Sequence, residues 1–124
     1  MSTASSESTV TPALRASLAE RFRREITGEF RGDDFSRGLY ATDASIYQIA
    51  PVGVVAPRTT EDVTATVAIA REFALPLIPR GGGTSLSGQS IGPGLILDFS
   101  RFMNAVLEVD EERRLARIQP GVVL

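Results

Sequence analysis

Four residue types are missing from this 124-residue chain: cysteine, histidine, tryptophan and lysine, so that all 13 basic side chains are arginine. Without cysteine or histidine, the chain has no thiol nucleophile, no imidazole general base and no zinc site built from those ligands. Without lysine, it has no Schiff base and no Walker lysine. If the chain belongs to an enzyme, a cofactor or another part of the protein must supply the chemistry. Carboxylate chemistry, or tyrosine chemistry at Tyr40 or Tyr47, stays open.

The chain also lacks an excess of charge of one sign. It has 13 basic and 15 acidic side chains, for a net charge of −2, and both signs occur along both halves. The sequence contains no basic stripe with interleaved aromatic residues. We therefore expect no nucleic-acid partner.

Long apolar segments are missing as well. Pro51 and Gly53 interrupt the longest mostly apolar stretch, residues 49–57, which is far shorter than the roughly 20 residues that cross a bilayer. Residues 1–11 are rich in serine and threonine and lack the basic and apolar regions of a signal peptide. They are predicted to form a disordered tail. These features predict a soluble, cytoplasmic protein.

An amphipathic helix is predicted to follow the tail. Thr11 and Pro12 suit a helix N-cap and first turn, and apolar residues then recur every four positions, at Leu14, Leu18, Phe22 and Ile26. The next residues are rich in glycine, aspartate, serine and arginine and have no clear period. Residues 12–35 are therefore assigned to an N-terminal helix and a connector.

A βαβ unit comes next. Val54, Val55 and Ala56 form a short apolar run that suits a strand buried on both faces. Thr59 followed by Asp62 matches a capping box, and the apolar face of the following helix is predicted at Val63, Val67, Ala70 and Ala74, flanked by Ile69 and Phe73. Residues 77–78 form a second short buried strand. A strand, a helix and a strand in this order imply parallel strands with a right-handed crossover.

Three more strands are predicted after a turn at residues 92–94: residues 95–99, 106–109 and 115–119. The charged residues 110–114 are interpreted as a solvated hairpin tip. The predicted fold class is α+β, with an N-terminal helix, a βαβ unit and then antiparallel strands. The apolar final residues, 121–124, have no stop signal after them, so we expect the domain to be truncated here.

The glycine-rich stretch after the second strand is the strongest candidate for a binding site. Gly81, Gly82 and Gly83 expose successive main-chain N–H groups, and glycine readily adopts the conformations of an anion-binding nest. Nearby serine and threonine hydroxyls add donors, and Arg80 adds charge. Two interpretations of this stretch remain: a phosphate-binding loop and a flexible turn that merely needs glycine.

Two known phosphate motifs do not fit this stretch. A Rossmann fingerprint needs a small residue where Leu86 stands, followed directly by a helix. A Walker loop would have Gln89 in place of its lysine, and the turn at residues 92–94 leaves no room for the helix that such a loop requires. Both mismatches argue against a nucleoside triphosphatase.

Five separated motifs occur in a familiar order: residues 40–45 (YATDAS), 54–63 (VVAPRTTEDV), 79–88 (PRGGGTSLSG), 97–100 (LDFS) and 118–122 (IQPGV). This succession resembles the FAD-linked oxidases related to vanillyl-alcohol oxidase, which have a PCMH-type FAD-binding domain. The closest likeness is to the branch of D-lactate dehydrogenases, glycolate oxidase flavin subunits and D-2-hydroxyglutarate dehydrogenases. The resemblance covers residues 36–124, which it identifies as the N-terminal portion of that domain.

The resemblance also implies which residues bind the cofactor. Arg80 to Ser87 correspond to the family's pyrophosphate loop, with two further residues turning back toward the flavin, and two separate positions line the cofactor cleft. The expected FAD-binding residues are Pro57, Arg80, Gly81, Gly82, Gly83, Thr84, Ser85, Leu86, Ser87, Gly88, Gln89 and Gly121. Some members attach FAD through histidine. This chain has none, so it is expected to hold FAD non-covalently, and it contains no expected catalytic residue.

The function implied by the resemblance is oxidation of a 2-hydroxy acid, such as D-lactate, glycolate or D-2-hydroxyglutarate. The family passes the electrons to a quinone, a cytochrome or an iron–sulfur acceptor. Likeness to members with a C-terminal iron–sulfur region implies such a cluster downstream, and the full-length protein could lie at the inner membrane face. The acid–base residues would lie in a separate cap domain, so the chain alone is expected to be inactive.

Three other interpretations remain open at this point. The chain could be a non-redox module that binds nucleotides or anions, or a structural piece without a ligand. Within the resembled family, alkyldihydroxyacetonephosphate synthases use the same binding loop for ether-bond formation. An apolar terminus and an open sheet edge also predict self-association of the isolated chain.

Overall fold

The computed structural model describes residues 10–123, which form three helices and six strands. The helices are α1 (Pro12–Glu25), α2 (Asp34–Leu39) and α3 (Thr60–Glu72). The strands are β1 (Glu29–Arg31), β2 (Gly53–Ala56), β3 (Leu77–Arg80), β4 (Leu95–Asp98), β5 (Val106–Asp110) and β6 (Leu115–Ile118). Most of the predicted tail, residues 1–9, lies outside the described residues.

Both long helices begin at the predicted threonine caps. The Thr11 hydroxyl oxygen accepts the N–H of Leu14 at 3.0 Å, and the Thr59 hydroxyl oxygen accepts the N–H of Asp62 at 3.0 Å. Each cap pairs one of the N–H groups that a helix leaves free at its start. These caps place α1 after the tail and α3 directly after β2.

The buried face of α3 differs from the predicted one. Asp62, Thr66, Ile69 and Ala70 are buried, whereas Val67 is 49% exposed. The Thr66 hydroxyl donates to the carbonyl of Asp62 at 2.7 Å, which satisfies it inside the protein. Because these polar side chains find partners, the helix can turn them inward and leave Val67 at the surface.

The central sheet has four strands in the order β1-β2-β4-β3. The expected parallel βαβ unit is present, but β4 lies between β2 and β3 and is parallel to both. Of the three strands predicted to follow the βαβ unit as antiparallel strands, β5 and β6 pair antiparallel with each other, whereas β4 is parallel to both of its neighbours. Strand β1, which was not predicted, pairs antiparallel with β2. All four residues of β4 are buried, as its central place requires. Strand β3 is an edge strand, so it is half-buried and not buried as predicted.

The main core lies between the sheet and the two long helices. Leu18 and Phe22 from α1 and Ile69 from α3 pack with Val55 and Leu95 from the sheet. The Phe22 and Phe30 rings stack with their centroids 5.0 Å apart. This packing fixes the C-terminal ends of β2, β3 and β4 at one edge of the sheet, where ligands bind in open α/β sheets.

The β5–β6 hairpin extends from this body with its apolar side chains at the surface. Its residues are exposed apart from the half-buried Asp110. The solvated tip was predicted for residues 110–114; residues 111–114 are exposed, whereas Asp110 is half-buried at the end of β5. None of the helices between residues 10 and 123 is long and apolar enough to span a membrane.

Candidate functional site

The glycine loop, defined as residues 81–89, leaves the sheet at the C-terminal end of β3. The main-chain carbonyl of Arg80, the last residue of β3, accepts the N–H of Phe99 at 3.0 Å. This bond joins the start of the loop to the residue that follows β4. The loop therefore begins at a fixed point on the ligand-binding edge of the sheet.

Two glycines of the loop have a backbone conformation that favours glycine, whereas a third leaves open space. Gly83 and Gly88 have φ angles of +70° and +74°, a conformation that other residues rarely adopt. A Cβ on Gly82 would instead have open space around it, with the methyl carbon of Thr84 as its nearest neighbour at 3.7 Å. Gly82 is therefore not needed for the fold, and its missing side chain leaves room above the loop.

The loop presents main-chain N–H groups that the protein does not use. Between residues 81 and 88, no N–H donates a hydrogen bond to an acceptor within residues 10–123. The loop keeps its shape through other atoms, because the carbonyl of Gly83 accepts the N–H of Ala44 at 3.1 Å. Free N–H groups on a glycine-rich turn are the donors that bind phosphate oxygens.

The second half of the loop is closed by Ser85 and Gln89. The N–H of Gln89 donates to the Ser85 hydroxyl oxygen at 3.2 Å, and that hydroxyl donates to the Gln89 side-chain oxygen. Both side chains are thus occupied with each other in this structure. Thr84, Leu86 and Ser87 are exposed and face solvent.

Arg80 lies beneath the loop. Its Nη1 donates to the carbonyl of Thr42 at 2.8 Å and, at 3.4 Å, to that of Ser90. A Cβ on Gly83 would come within 2.6 Å of Nη2 of this guanidinium. The guanidinium carbon is also 5.0 Å from the centre of the Tyr40 ring. The positive charge of Arg80 therefore lies against the face of the loop that is turned toward the protein and not toward solvent.

Residues 42–48 form a wall beside the glycine loop that sequence reasoning did not assign to the site. The Asp43 carboxylate accepts the N–H of Ser45 at 2.8 Å and the hydroxyl of Ser90 at 2.8 Å. Hydrogen bonds from Ser45 and then Ser90 lower the pKa of Asp43 to about 2. The Tyr47 ring covers Gly88, where a Cβ would be 2.9 Å from Cδ2. The turn-forming pattern Asp43-Ala44-Ser45 was the one local signal for this wall.

The two separate candidates, Pro57 and Gly121, lie in different surroundings. Gly121 is buried, donates its N–H to Met103 at 2.9 Å and leaves no room for a Cβ, which would be 2.2 Å from the carbonyl oxygen of Phe99. The neighbouring Pro120 carbonyl is 3.4 Å from the Cβ position of Gly81, so this segment borders the start of the loop. Pro57 is fully buried after β2, on the other side of β4 from the loop.

A separate groove of about 730 Å³ lies between α1 and β1. Arginine and acidic side chains line it together, including Arg15, Arg23, Glu29 and Asp33. None of the residues expected to bind a cofactor lines this groove. This groove therefore does not coincide with the residues expected to bind a cofactor.

Comparison with known proteins agrees with this geometry. The model of a family described as an FAD binding domain matches residues 51–124, which include the glycine loop. The chain belongs to this FAD binding domain family. The prediction of an FAD-linked oxidase is thereby confirmed, as is its α+β fold class.

Relatives of this FAD binding domain include two kinds of named proteins. D-2-hydroxyglutarate dehydrogenase from Pantoea ananatis is 44% identical over 101 residues, which cover 79% of this chain and 10% of that protein. Glycolate oxidase subunit GlcD from Bacillus subtilis is 39% identical over 104 residues, covering 80% of this chain and 22% of that protein. The chain thus spans about a tenth to a fifth of the length of these curated relatives.

Solved structures of similar fold include an oxidase and a synthase. 4-Ethylphenol oxidase from Gulosibacter chungangensis has a TM-score of 0.69 and 25% identity, covering 91% of this chain and 23% of that one. An alkyldihydroxyacetonephosphate synthase has a TM-score of 0.68 and 27% identity, covering 90% of this chain and 23% of that one.

The residues at the loop fit an FAD pyrophosphate. Unpaired N–H groups supply donors, the open position above Gly82 leaves room for phosphate oxygens, and Arg80 places a positive charge below. Hydrogen bonds to a charged group are worth roughly 1.5–3 kcal/mol each, so three or four donors hold a pyrophosphate without lysine.

Proposed function

We propose that the glycine loop binds the pyrophosphate of FAD in a dehydrogenase that oxidises a 2-hydroxy acid. The observation that carries this proposal is the run of unused N–H groups between residues 81 and 88, below the open space at Gly82. FAD, when bound, would accept the hydride. This chain contributes binding and orientation of the cofactor, and its lack of histidine and lysine leaves acid–base work to other parts of the protein.

The roles of individual residues follow from their positions. The N–H groups of Gly81, Gly82 and Gly83 donate to phosphate oxygens, and the exposed hydroxyls of Thr84 and Ser87 add donors at the rim. Ser85 and Gln89 close the loop, and Leu86 and Gly88 complete it. Arg80 stabilises the bound charge from beneath. Gly121 borders the loop at Gly81, and Pro57 supports the same edge of the sheet.

The substrate class is proposed from the names of the relatives. One relative is named for D-2-hydroxyglutarate and another for glycolate, and both compounds are 2-hydroxy acids. We propose a quinone, cytochrome or iron–sulfur electron acceptor, with any iron–sulfur cluster held outside this cysteine-free chain. A cytoplasmic location, or a peripheral one at the inner membrane face, accords with the absence of a spanning helix in the described residues.

The decisive test is the replacement Gly82→Val in the complete gene product. The folded loop leaves open space at the Cβ position of Gly82, and the branched carbons of valine would extend into the space proposed for phosphate. We expect the wild-type protein to bind FAD with 1:1 stoichiometry and a yellow colour, and the variant to lose the flavin. The measurement is flavin absorbance per protein after gel filtration.

A matched control uses Gly38→Val. Gly38 lies in α2 and has no atom within 4 Å of its Cβ position, and it is remote in sequence from the loop. We expect wild-type flavin content in this variant. Wild-type flavin content in Gly82→Val would place the pyrophosphate elsewhere and refute the proposal.

A second candidate is an enzyme of the alkyldihydroxyacetonephosphate synthase type, which the structural match at 27% identity favours. Flavin absorbance in the presence of D-lactate, glycolate or D-2-hydroxyglutarate separates the two candidates. Loss of the absorbance with one of these acids supports the dehydrogenase, and no change with any of them favours the synthase. Calorimetric titration with ADP and FAD tests a simple anion-binding module, which would not prefer FAD.

A further inference from the structure

A buried carboxylate lies next to Arg80 without pairing with it. Asp98, the last residue of β4, is 3% exposed, and it is the direct partner of Arg80 in the parallel register of β3 and β4. A buried carboxylate beside an arginine would ordinarily form an ion pair. Within residues 10–123, however, Arg80 forms no ion pair, and its guanidinium contacts the glycine loop instead.

Asp98 is satisfied by neutral donors. One carboxylate oxygen accepts the N–H of Ser100 at 2.8 Å and the Ser100 hydroxyl at 2.6 Å. The other oxygen accepts the hydroxyl of Tyr40. Burial and the hydrogen bond to Asp98 raise the pKa of Tyr40 to about 12, so this hydroxyl keeps its proton at neutral pH.

Tyr40 therefore contacts both charged groups. Its hydroxyl donates to Asp98, and its ring lies 5.0 Å from the guanidinium carbon of Arg80. The other cation near this pair is Arg101, whose Nη1 donates to Glu29 at 2.7 Å. If the tyrosine hydroxyl were removed, Arg80 is thus the cation that would take its place as the hydrogen-bond donor to Asp98.

We propose that Tyr40 is a positioning residue for FAD binding, which keeps Asp98 from drawing the Arg80 guanidinium away from the glycine loop. The proposal rests on the proposed function, because the loop must bind the pyrophosphate for this position to matter. Without the hydroxyl, Asp98 is left buried and short of a donor, and such a group takes the nearest available donor. The guanidinium then leaves its place beneath Gly83 and its positive charge is neutralised.

The experiment measures the dissociation constant of FAD for the apo form of the complete gene product, by quenching of flavin fluorescence. We expect Tyr40→Phe to weaken FAD binding by roughly tenfold, the loss of about one charge-assisted hydrogen bond. We expect Asp98→Asn alone to bind as the wild type does, because the amide oxygen still accepts from Ser100 and the amide NH₂ donates to the hydroxyl oxygen of Tyr40. The double variant Tyr40→Phe/Asp98→Asn should recover wild-type affinity, because a neutral amide does not attract Arg80.

This recovery distinguishes positioning from a merely structural role. If Tyr40 only packs the fold, removing a second polar group would weaken binding further and not restore it. Wild-type affinity in Tyr40→Phe, or a double variant as weak as Tyr40→Phe, overturns the proposal. Ser100→Ala gives an independent test, since it also removes a donor from Asp98 and should also be restored by Asp98→Asn.

Thr27→Val is the matched control. The Thr27 hydroxyl donates to the buried carboxylate of Asp62 at 3.0 Å, between the end of α1 and the start of α3. We expect both Thr27→Val and Tyr40→Phe to lower the melting temperature, and only Tyr40→Phe to change FAD affinity. Equal weakening by Thr27→Val overturns the proposal. Normal FAD binding by Gly82→Val refutes the proposed function. If Gly82→Val loses FAD but Tyr40→Phe binds FAD normally, the proposed function stands and only the inference about Tyr40 is refuted.

Discussion

Ala74 carries a backbone conformation that suits glycine. Its φ angle is +55°, and it directly follows the C-cap of α3. The N–H of Ala74 donates to Arg71 at 3.2 Å and that of Leu75 donates to Ala70 at 2.8 Å, which is the Schellman pattern of helix ends. We expect Ala74→Gly to raise the free energy of unfolding by roughly 0.5–1 kcal/mol, because glycine adopts this conformation without steric cost. Urea denaturation measures the difference.

Ala68→Gly provides the control for this change. Ala68 is an exposed residue within α3, where the backbone is helical. The same substitution should there lower the free energy of unfolding by about 1 kcal/mol. Opposite signs at the two positions would identify the conformation of Ala74 as the cause. A destabilised Ala74→Gly protein would contradict this account.

At the level of secondary-structure elements, Asp62 joins three segments of the chain. Its carboxylate accepts the N–H groups of Thr27, Gly28 and Arg58 at 2.9 Å each. These bonds hold the residues between α1 and β1, and the residue after Pro57, against the N-terminus of α3. The helix dipole adds to the preference for a negative charge here. Asp62 thus joins the segment after α1 and the segment after β2 to the start of α3.

Asp62→Asn should lower the free energy of unfolding by roughly 2–3 kcal/mol, because the amide NH₂ would face a main-chain donor. Burial alone would raise the pKa of Asp62, but the N–H groups of Arg58, Thr27 and Gly28 lower it below its ordinary value. The charged form is therefore the one that stabilises the fold. Its contribution is present above the ordinary aspartate pKa, about 4, and is lost as the pH falls below it.

The measurement is urea denaturation of wild type and variant between neutral pH and pH 3. We expect the difference in free energy to shrink as the pH falls. Asp34→Asn is the control, since this exposed carboxylate pairs with Arg15 and Arg37 at the surface. It should change the free energy by less than about 1 kcal/mol. A pH-independent difference for Asp62→Asn would show that the charge is not responsible.

For the whole molecule, sequence patterns predicted elements with clear local signals and missed those without them. The caps at Thr11 and Thr59 and the apolar runs of β2 and β4 were sufficient to locate four elements. Strand β1 has only three residues, and α2 has six residues that include Ser36 and Gly38. Neither is long enough to show a period. The insertion of β4 between β2 and β3 depends on burial across the whole sheet, which no local pattern contains.

In the site, too, features with a local sequence signal were predicted and features without one were missed. The glycine loop was predicted because triple glycine after a strand is itself a chemical signal, while its assignment to FAD rested on resemblance to a family. The partners of Arg80 were not predicted. Tyr40 and Asp98 are separated by 58 positions, and their hydrogen bond joins the C-cap of α2 to the end of β4. Contacts of this kind require the fold before they can be identified.

The last prediction concerns the exposed hairpin and the association of the 124-residue chain. Five apolar side chains of β5 and β6 are between 43% and 65% exposed: Val106, Leu107, Val109, Leu115 and Ile118. An apolar hairpin with free strand edges favours pairing with another chain. We therefore expect the isolated chain to associate as its concentration rises, measured by sedimentation velocity.

The double substitution Val106→Thr/Ile118→Thr should reduce this association. The two residues are direct cross-strand partners, and threonine keeps the strand preference while removing apolar surface. Val67→Thr is the control, because Val67 is 49% exposed on α3 and outside the hairpin. It should leave the association unchanged. A wild-type chain that stays monomeric at high concentration would contradict the predicted association. If Val67→Thr reduces the association as strongly as the double substitution does, the hairpin is not its cause, because Val67 lies outside the apolar surface of β5 and β6.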